Sequence, residues 1–321
     1  MIGSTLKYQD ASLVTHSNKS RINAVTSGNG KSGVERSRHP MPDIQIHPKF
    51  RLDDGKVFTI GSCFARNIEA ALVRQGVDCI TSHFKLPGEM YELTGHGARN
   101  GALNAYTPHS MNDLVRLPSN PTGGILQTGD DEFVDMMMSG LKPQTEAVTK
   151  ETRAGLVDLY ESMADASTVV ITLGYTESWF DTEDGIFVNR SPGASRKTLR
   201  HGDRYNFLNA SAAQVSEALE SIARRVHEVT GGRAKLIITT SPVPLHATFT
   251  GRDVICANLY SKCTLLSSAV LLASRHDWID YYPSYELVTG SQKDVAWEDD
   301  GIHVKQSLVD QVIGKFTEAY L

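Results

Sequence analysis

The sequence predicts an α/β layered sandwich built on a mainly parallel sheet of about five strands. Two observations carry that expectation. Short β-branched runs such as T-V-V-I-T-L (Thr168–Leu173) and L-I-I-T-T before Ser241 are continuous enough to be buried on both faces, as strands of a parallel sheet are. Between them lie segments whose apolar residues recur at helical spacing, so strands and helices alternate.

Residues 1–40 are rich in Ser, Asn, Gly, Lys and Arg and have no sustained period, which predicts a flexible, basic polar arm ahead of one domain over 41–321. From His39 to Asp54 the prolines and charges predict an irregular lead-in. The first strand, V-F-T-I from Val57, runs through Gly61-Ser62 into a helical pattern in which Phe64, Ile68, Ala71 and Leu72 share a face and Gly76 closes the end. Val77–Thr81 is a short strand candidate. The stretch from His83 to Gly129 is broken by Pro and Gly throughout, and a segment that long is expected to carry small elements of its own and to wall a cleft. Leu156–Ala164 has a helical stripe, Thr168–Leu173 is the next strand, and Asp181–Asn209 is a loop-rich insertion. A helix over Ser211–Val229, a strand over Lys235–Thr240, an apolar helix over Leu259–Ala273, a strand over Trp278–Tyr282 and a last helix from about Val304 to Ala319 complete the series.

Composition narrows the function. The formal charge of -5, from 32 basic and 37 acidic residues, comes without a long basic run and does not suggest nucleic acid as a partner. No unbroken apolar run approaches a membrane span and no secretory signal core opens the chain, so a cytoplasmic protein is expected. Cys63, Cys79, Cys256 and Cys263 form no C-x-x-C pair and are expected to be free thiols. Neither metal-ligand spacing nor a phosphate-loop pattern occurs, and no cofactor is expected.

The chemistry concentrates on three loops that a parallel sheet would bring to one edge. Ser62 opens a helix, where the positive helix end favours an oxyanion, although serine at that position is also a preferred cap. Gly174-Tyr175-Thr176-Glu177 follows the Thr168–Leu173 strand. Asp300 and His303 stand three apart before the last helix, the spacing at which a carboxylate can hold one imidazole nitrogen while the other faces a hydroxyl. Together they predict serine hydrolysis or acyl transfer, with the Ser62 and Gly174 amides and Thr176 as candidate oxyanion donors. Cys63 is a rival nucleophile if its side chain points outward.

The G-S-C-F-A stretch over 61–65 resembles the signature of the GSCFA domain family, which is similar to the wider SGNH/GDSL hydrolases. I-T-L-G-Y-T-E-S-W from Ile171, T-S-P-V-P-L-H-A-T from Thr240, N-L-Y-S-K from Asn258, Y-Y-P-S-Y-E from Tyr281 and N-A-Y-T-P from Asn104 agree with it. The resemblance implies a flavodoxin-like three-layer α/β/α fold with Ser62 as nucleophile, His303 as general base and Asp300 orienting it. It matches Gly174 to the third-block glycine. Where such hydrolases carry G-x-N this chain has Gly174-Tyr175-Thr176, and the second-block glycine has only Gly88, by position, to match it; Asn104 is a candidate for the missing amide.

The expected substrate is a small-molecule or glycan acyl ester. An O-acyltransferase on the same triad is one alternative, and a catalytically weak carbohydrate-binding protein on the same scaffold is the other. Glu177, Trp179 and His246 are substrate-binding candidates, each with an ordinary structural role open to it. Tyr281, Tyr282 and Tyr285 are expected in core or rim packing.

Overall fold

The computed structural model describes residue 2 and residues 37–92, 101–301 and 303–321. Most of the arm expected over 1–40 lies outside the described residues, as do Gly95 and Gly97 of the long loop and Ile302 beside the late histidine.

In chain order the strands are β1 (Lys56–Gly61), β2 (Ile125–Gly129), β3 (Glu132–Asp135), β4 (Ala166–Leu173), β5 (Glu177–Asp181), β6 (Ile186–Val188), β7 (Tyr205–Asn209), β8 (Lys235–Thr240) and β9 (Ile279–Tyr282). The longer helices are α1 (Cys63–Arg74), α2 (Pro108–Leu114), α3 (Glu146–Glu161), α4 (Ala212–Val229), α5 (Val254–Arg275), α6 (Ser284–Thr289) and α7 (Gln306–Tyr320). The central sheet has the order β1-β4-β8-β9, with every pair parallel. Val169, Ile171 and Leu236 belong to one apolar core and Val57, Val170 and Ile237 to another, so the sheet is covered on both faces as its β-branched runs require.

Among the described residues the central sheet has four strands where about five were expected. Val77–Thr81 reaches it through a single parallel bridge, Val57 to Cys79, and then enters a 3-10 helix over Ile80–His83. Thr81 is drawn instead into a buried polar knot, where its hydroxyl meets Thr59 Oγ1 at 2.7 Å and donates to Glu69 Oε2 at 2.5 Å. Arg66 completes the knot, donating to Glu69 Oε2 at 2.7 Å and to the Thr59 carbonyl at 3.0 Å. Two side chains from the inner face of α1 are thereby fixed against β1.

The insertion after β5 is also more ordered than its composition suggested. It carries a second, antiparallel sheet in the order β6-β5-β7, in which Trp179 stands opposite Val188 and Phe207. Arg204 fastens its hairpin through Asp181 at 2.7 Å and Asp184 at 2.6 Å. These strands are too short, and too polar at their ends, to show a clear alternation. The long Pro/Gly-rich stretch holds α2 and ends in β2, which pairs with β3 just beyond it. Helix α3 starts at Glu146, earlier than its apolar stripe implied, because its first buried positions are Thr149, Thr152 and Arg153.

The lead-in is irregular yet packed. Met41, Ile44, Ile46, Phe50 and Leu52 lie against the core beside α7, and the Leu52 N–H donates to the Tyr320 carbonyl at 2.8 Å. An 18-residue stretch of helix α5 has a mean hydropathy of 1.4, and by length and composition the helix could cross a membrane even though charged residues interrupt its runs. Its face with Ala257, Ser261, Leu265 and Ala269 is buried, and it packs on β8, β9 and α4.

Candidate active site

Strands β1, β4 and β8 are neighbours, so the loops leaving their carboxyl ends converge. A cavity of about 260 Å³ opens there. Its floor carries Ser62 and Cys63 from the β1-α1 turn, Gly174 and Tyr175 after β4, and Ser241 after β8. Gly61 makes the turn possible: its φ is +146°, and a Cβ there would stand 2.6 Å from the Thr172 carbonyl. Ser62 occupies the N-cap position of α1 with extended backbone, but its side chain accepts no capping bond. The hydroxyl donates instead to Ser241 Oγ at 3.3 Å, reaching across the end of β4. Ser62 is 4% exposed.

The predicted oxyanion donors separate. Gly174 lines the cavity, but its N–H donates to the Tyr106 carbonyl at 2.8 Å and is not open to a substrate. A Cβ on Gly174 would lie 2.7 Å from that same oxygen, so glycine lets the 104–107 segment close on the strand end. Thr176 turns away from the cavity, its Oγ1 donating to Asn209 Oδ1 at 2.7 Å and its N–H to Ser261 Oγ at 2.9 Å. Asn104 is pinned beside β1 by a bridge to Gly61, with a buried side-chain oxygen that has no partner. Gly88 opens an exposed 3-10 turn and does not line the cavity.

The substrate-binding candidates meet on one wall. Glu177, Trp179 and His246 all line the cavity. Both Glu177 oxygens are engaged, accepting from Thr248 Oγ1 at 2.5 Å and from the Phe249 N–H at 2.8 Å. The carboxylate thus ties the loop after β8 to β5. Trp179 packs its ring against Phe207 at 5.2 Å and edge-on to Phe249 at 5.0 Å. His246 is exposed on the same wall.

Asp300 and His303 form the predicted pair, with Nδ1 of the imidazole 2.5 Å from Asp300 Oδ2 and the His303 N–H donating to Oδ1 at 2.9 Å. The pair stands off the cavity. His303 is absent from its wall, its side chain is 74% exposed, and it makes no hydrogen bond to Ser62. The sequence spacing brought the carboxylate to the histidine but not the histidine to the serine.

Sequence reasoning missed three contributors. Ser241 receives the Ser62 hydroxyl. Asn189 shapes the wall by accepting from the Tyr106 N–H at 3.1 Å and donating to Ser139 Oγ at 3.1 Å. Lys262, on α5, is 1% exposed and donates to the Gly174 carbonyl at 2.7 Å. Ser241 and Lys262 lie in stretches that had shown family resemblance, yet one serine before a proline and one lysine in an apolar helix announced no role. Burial brings Lys262 down to about 7, against the opposing influence of Cys63. The Cys63 thiol is raised, chiefly by desolvation, although the residue is exposed overall and faces the cavity; the Phe64 amide and the Lys262 charge pull the other way.

The model of the GSCFA family matches residues 56–316, most of the chain. The chain belongs to the GSCFA family. The family match takes in the Ser62 turn, the second sheet and the Asp300–His303 loop. Among solved structures, a family 3 carbohydrate esterase of Clostridium thermocellum is similar at 10% identity and a TM-score of 0.36, over 82% of this chain and 94% of that one. A carbohydrate esterase family 3 protein of Talaromyces cellulolyticus is similar at 10% identity and a TM-score of 0.36, over 82% and 95%. No curated protein matches the chain.

Proposed function

We propose that this GSCFA protein is a serine esterase acting on an O-acyl ester of a carbohydrate. The observation that supports it best is the Ser62 hydroxyl, held at a helix start on a cavity and left free of capping. Ser62 Oγ attacks the ester carbonyl as its proton passes to a base. The tetrahedral intermediate collapses with the alkoxide leaving and taking that proton, and water then hydrolyses the acyl-enzyme. The start of α1 faces the developing oxyanion. His303 is the base, oriented by Asp300 and leaving Nε2 for the proton, which requires the 298–303 loop to close toward Ser62. Trp179 and Phe249 give the sugar ring an apolar face to lie on. Deacylation by a sugar hydroxyl in place of water would make the same site an acyltransferase.

A second assignment of the base has its own support: His246, not His303, lines the cavity with Ser62. Labelling with a serine-directed fluorophosphonate, mapped by peptide, tests both. Modification at Ser62 that is abolished in Ser62→Ala and falls about a thousandfold or more in His303→Ala, with His246→Ala near wild type, is the expected result. The reverse order of the two histidine variants assigns the base to His246. A folded protein unlabelled at Ser62 moves the assignment to a carbohydrate-binding role without turnover.

A further inference from the structure

Lys262 has no part in the scheme above, yet it lies directly beneath it. The side chain leaves α5, crosses under the end of β4 and donates to the Gly174 carbonyl at 2.7 Å. No carboxylate pairs with it among the described residues, and that carbonyl is the one acceptor of its amine. A buried amine with a single neutral acceptor is costly to keep, and an apolar side chain would fit the helix face better. Cys63, from the start of α1, lines the same cavity as Gly174, whose carbonyl the amine holds, and its charge acts on Lys262; Tyr106 lines that cavity too, with a hydroxyl that burial keeps protonated. Glu177, on the opposite wall, is engaged by Thr248 and Phe249.

We propose that Lys262 is a positioning residue, holding the Gly174 carbonyl in place and stabilising any negative charge formed at the Ser62–Cys63 turn. That charge is a thiolate on Cys63 or the oxyanion of an ester attacked by Ser62. The inference concerns the turn on which the proposed esterase depends, but it can be tested on the thiol without any turnover. Its failure and the failure of Ser62 labelling are therefore separate results.

The probe is iodoacetamide, a neutral alkylating reagent, with the modified cysteines mapped by peptide and Cys256, exposed near the start of the same helix, as internal reference. In the wild-type protein the Cys63 rate should climb with pH and flatten above about pH 7, where Lys262 gives up its proton and its support of the thiolate. In folded Lys262→Met the Cys63 rate at pH 8 should fall at least about threefold, the flattening should vanish and Cys256 should be unchanged. Lys262→Arg should restore part of the rate by restoring the charge. A wild-type Cys63 profile with the shape of the Cys256 profile overturns the proposal, whether or not the variants fold. So does an unchanged Cys63 rate in folded Lys262→Met.

Discussion

A buried lysine with no counter-ion among the described residues makes the protein's stability depend on pH in a direction that can be worked out. The folded protein holds the Lys262 proton only to about pH 7, whereas the unfolded chain holds it to about 10.5. Between those values unfolding takes up a proton, so stability rises with pH across the window and the full penalty applies below it. A shift of that size corresponds to roughly 5 kcal/mol. Lys262→Met removes the penalty, and its melting temperature relative to wild type should therefore stand higher at pH 6 than at pH 9. The same difference at both pH values would show the amine to be solvated. Ser62 was legible because strand, glycine, serine and helix are adjacent in the chain. Lys262 was not, because its meaning depends on a carbonyl 88 residues away.

Helix α1 shows both what periodicity reveals and what it conceals. Phe64, Ile68, Ala71 and Leu72 announced its buried face, and all four are buried. Arg66 and Glu69, three apart on the same helix, carried no signal in the apolar period, yet they are 9% and 4% exposed and bind Thr59 and Thr81. Glu69→Ala would leave the Arg66 guanidinium buried beside neutral oxygens, at a cost of about 3–5 kcal/mol measured by urea unfolding. Thr81→Val removes one hydroxyl from the same knot and should cost about 1–2 kcal/mol. Equal effects would mean that the ion pair contributes no more than any one hydrogen bond. The same knot explains the missing fifth strand: an apolar, β-branched run became a single bridge because Thr81 and its neighbours turn inward to the helix. A strand count from local pattern could not foresee it.

At the scale of the whole molecule, the order β1-β4-β8-β9 delivers Ser62 and Gly174 to one edge, as alternating strands and helices had led one to expect, and brings Ser241 there as well. What local pattern could not supply was the distance from His303 to Ser62, which depends on how a late loop lies over that edge. Nor could it supply the second sheet, whose β5 holds the loop after β8 through Glu177. Glu177→Ala should free that loop. Limited proteolysis within residues 243–252 should speed up several-fold while the melting temperature falls by only a few degrees. Unchanged cleavage would show that Trp179 and Phe249 hold the wall without the carboxylate.

The tether also divides the cavity's construction between two sheets. Ser62 and Lys262 belong to the central layers, whereas the aromatic wall belongs to residues 177–209 and one fastened loop. Changes confined to that outer piece can therefore reshape the mouth of the cavity while the strand ends that place Ser62, Gly174 and Ser241 stay as they are.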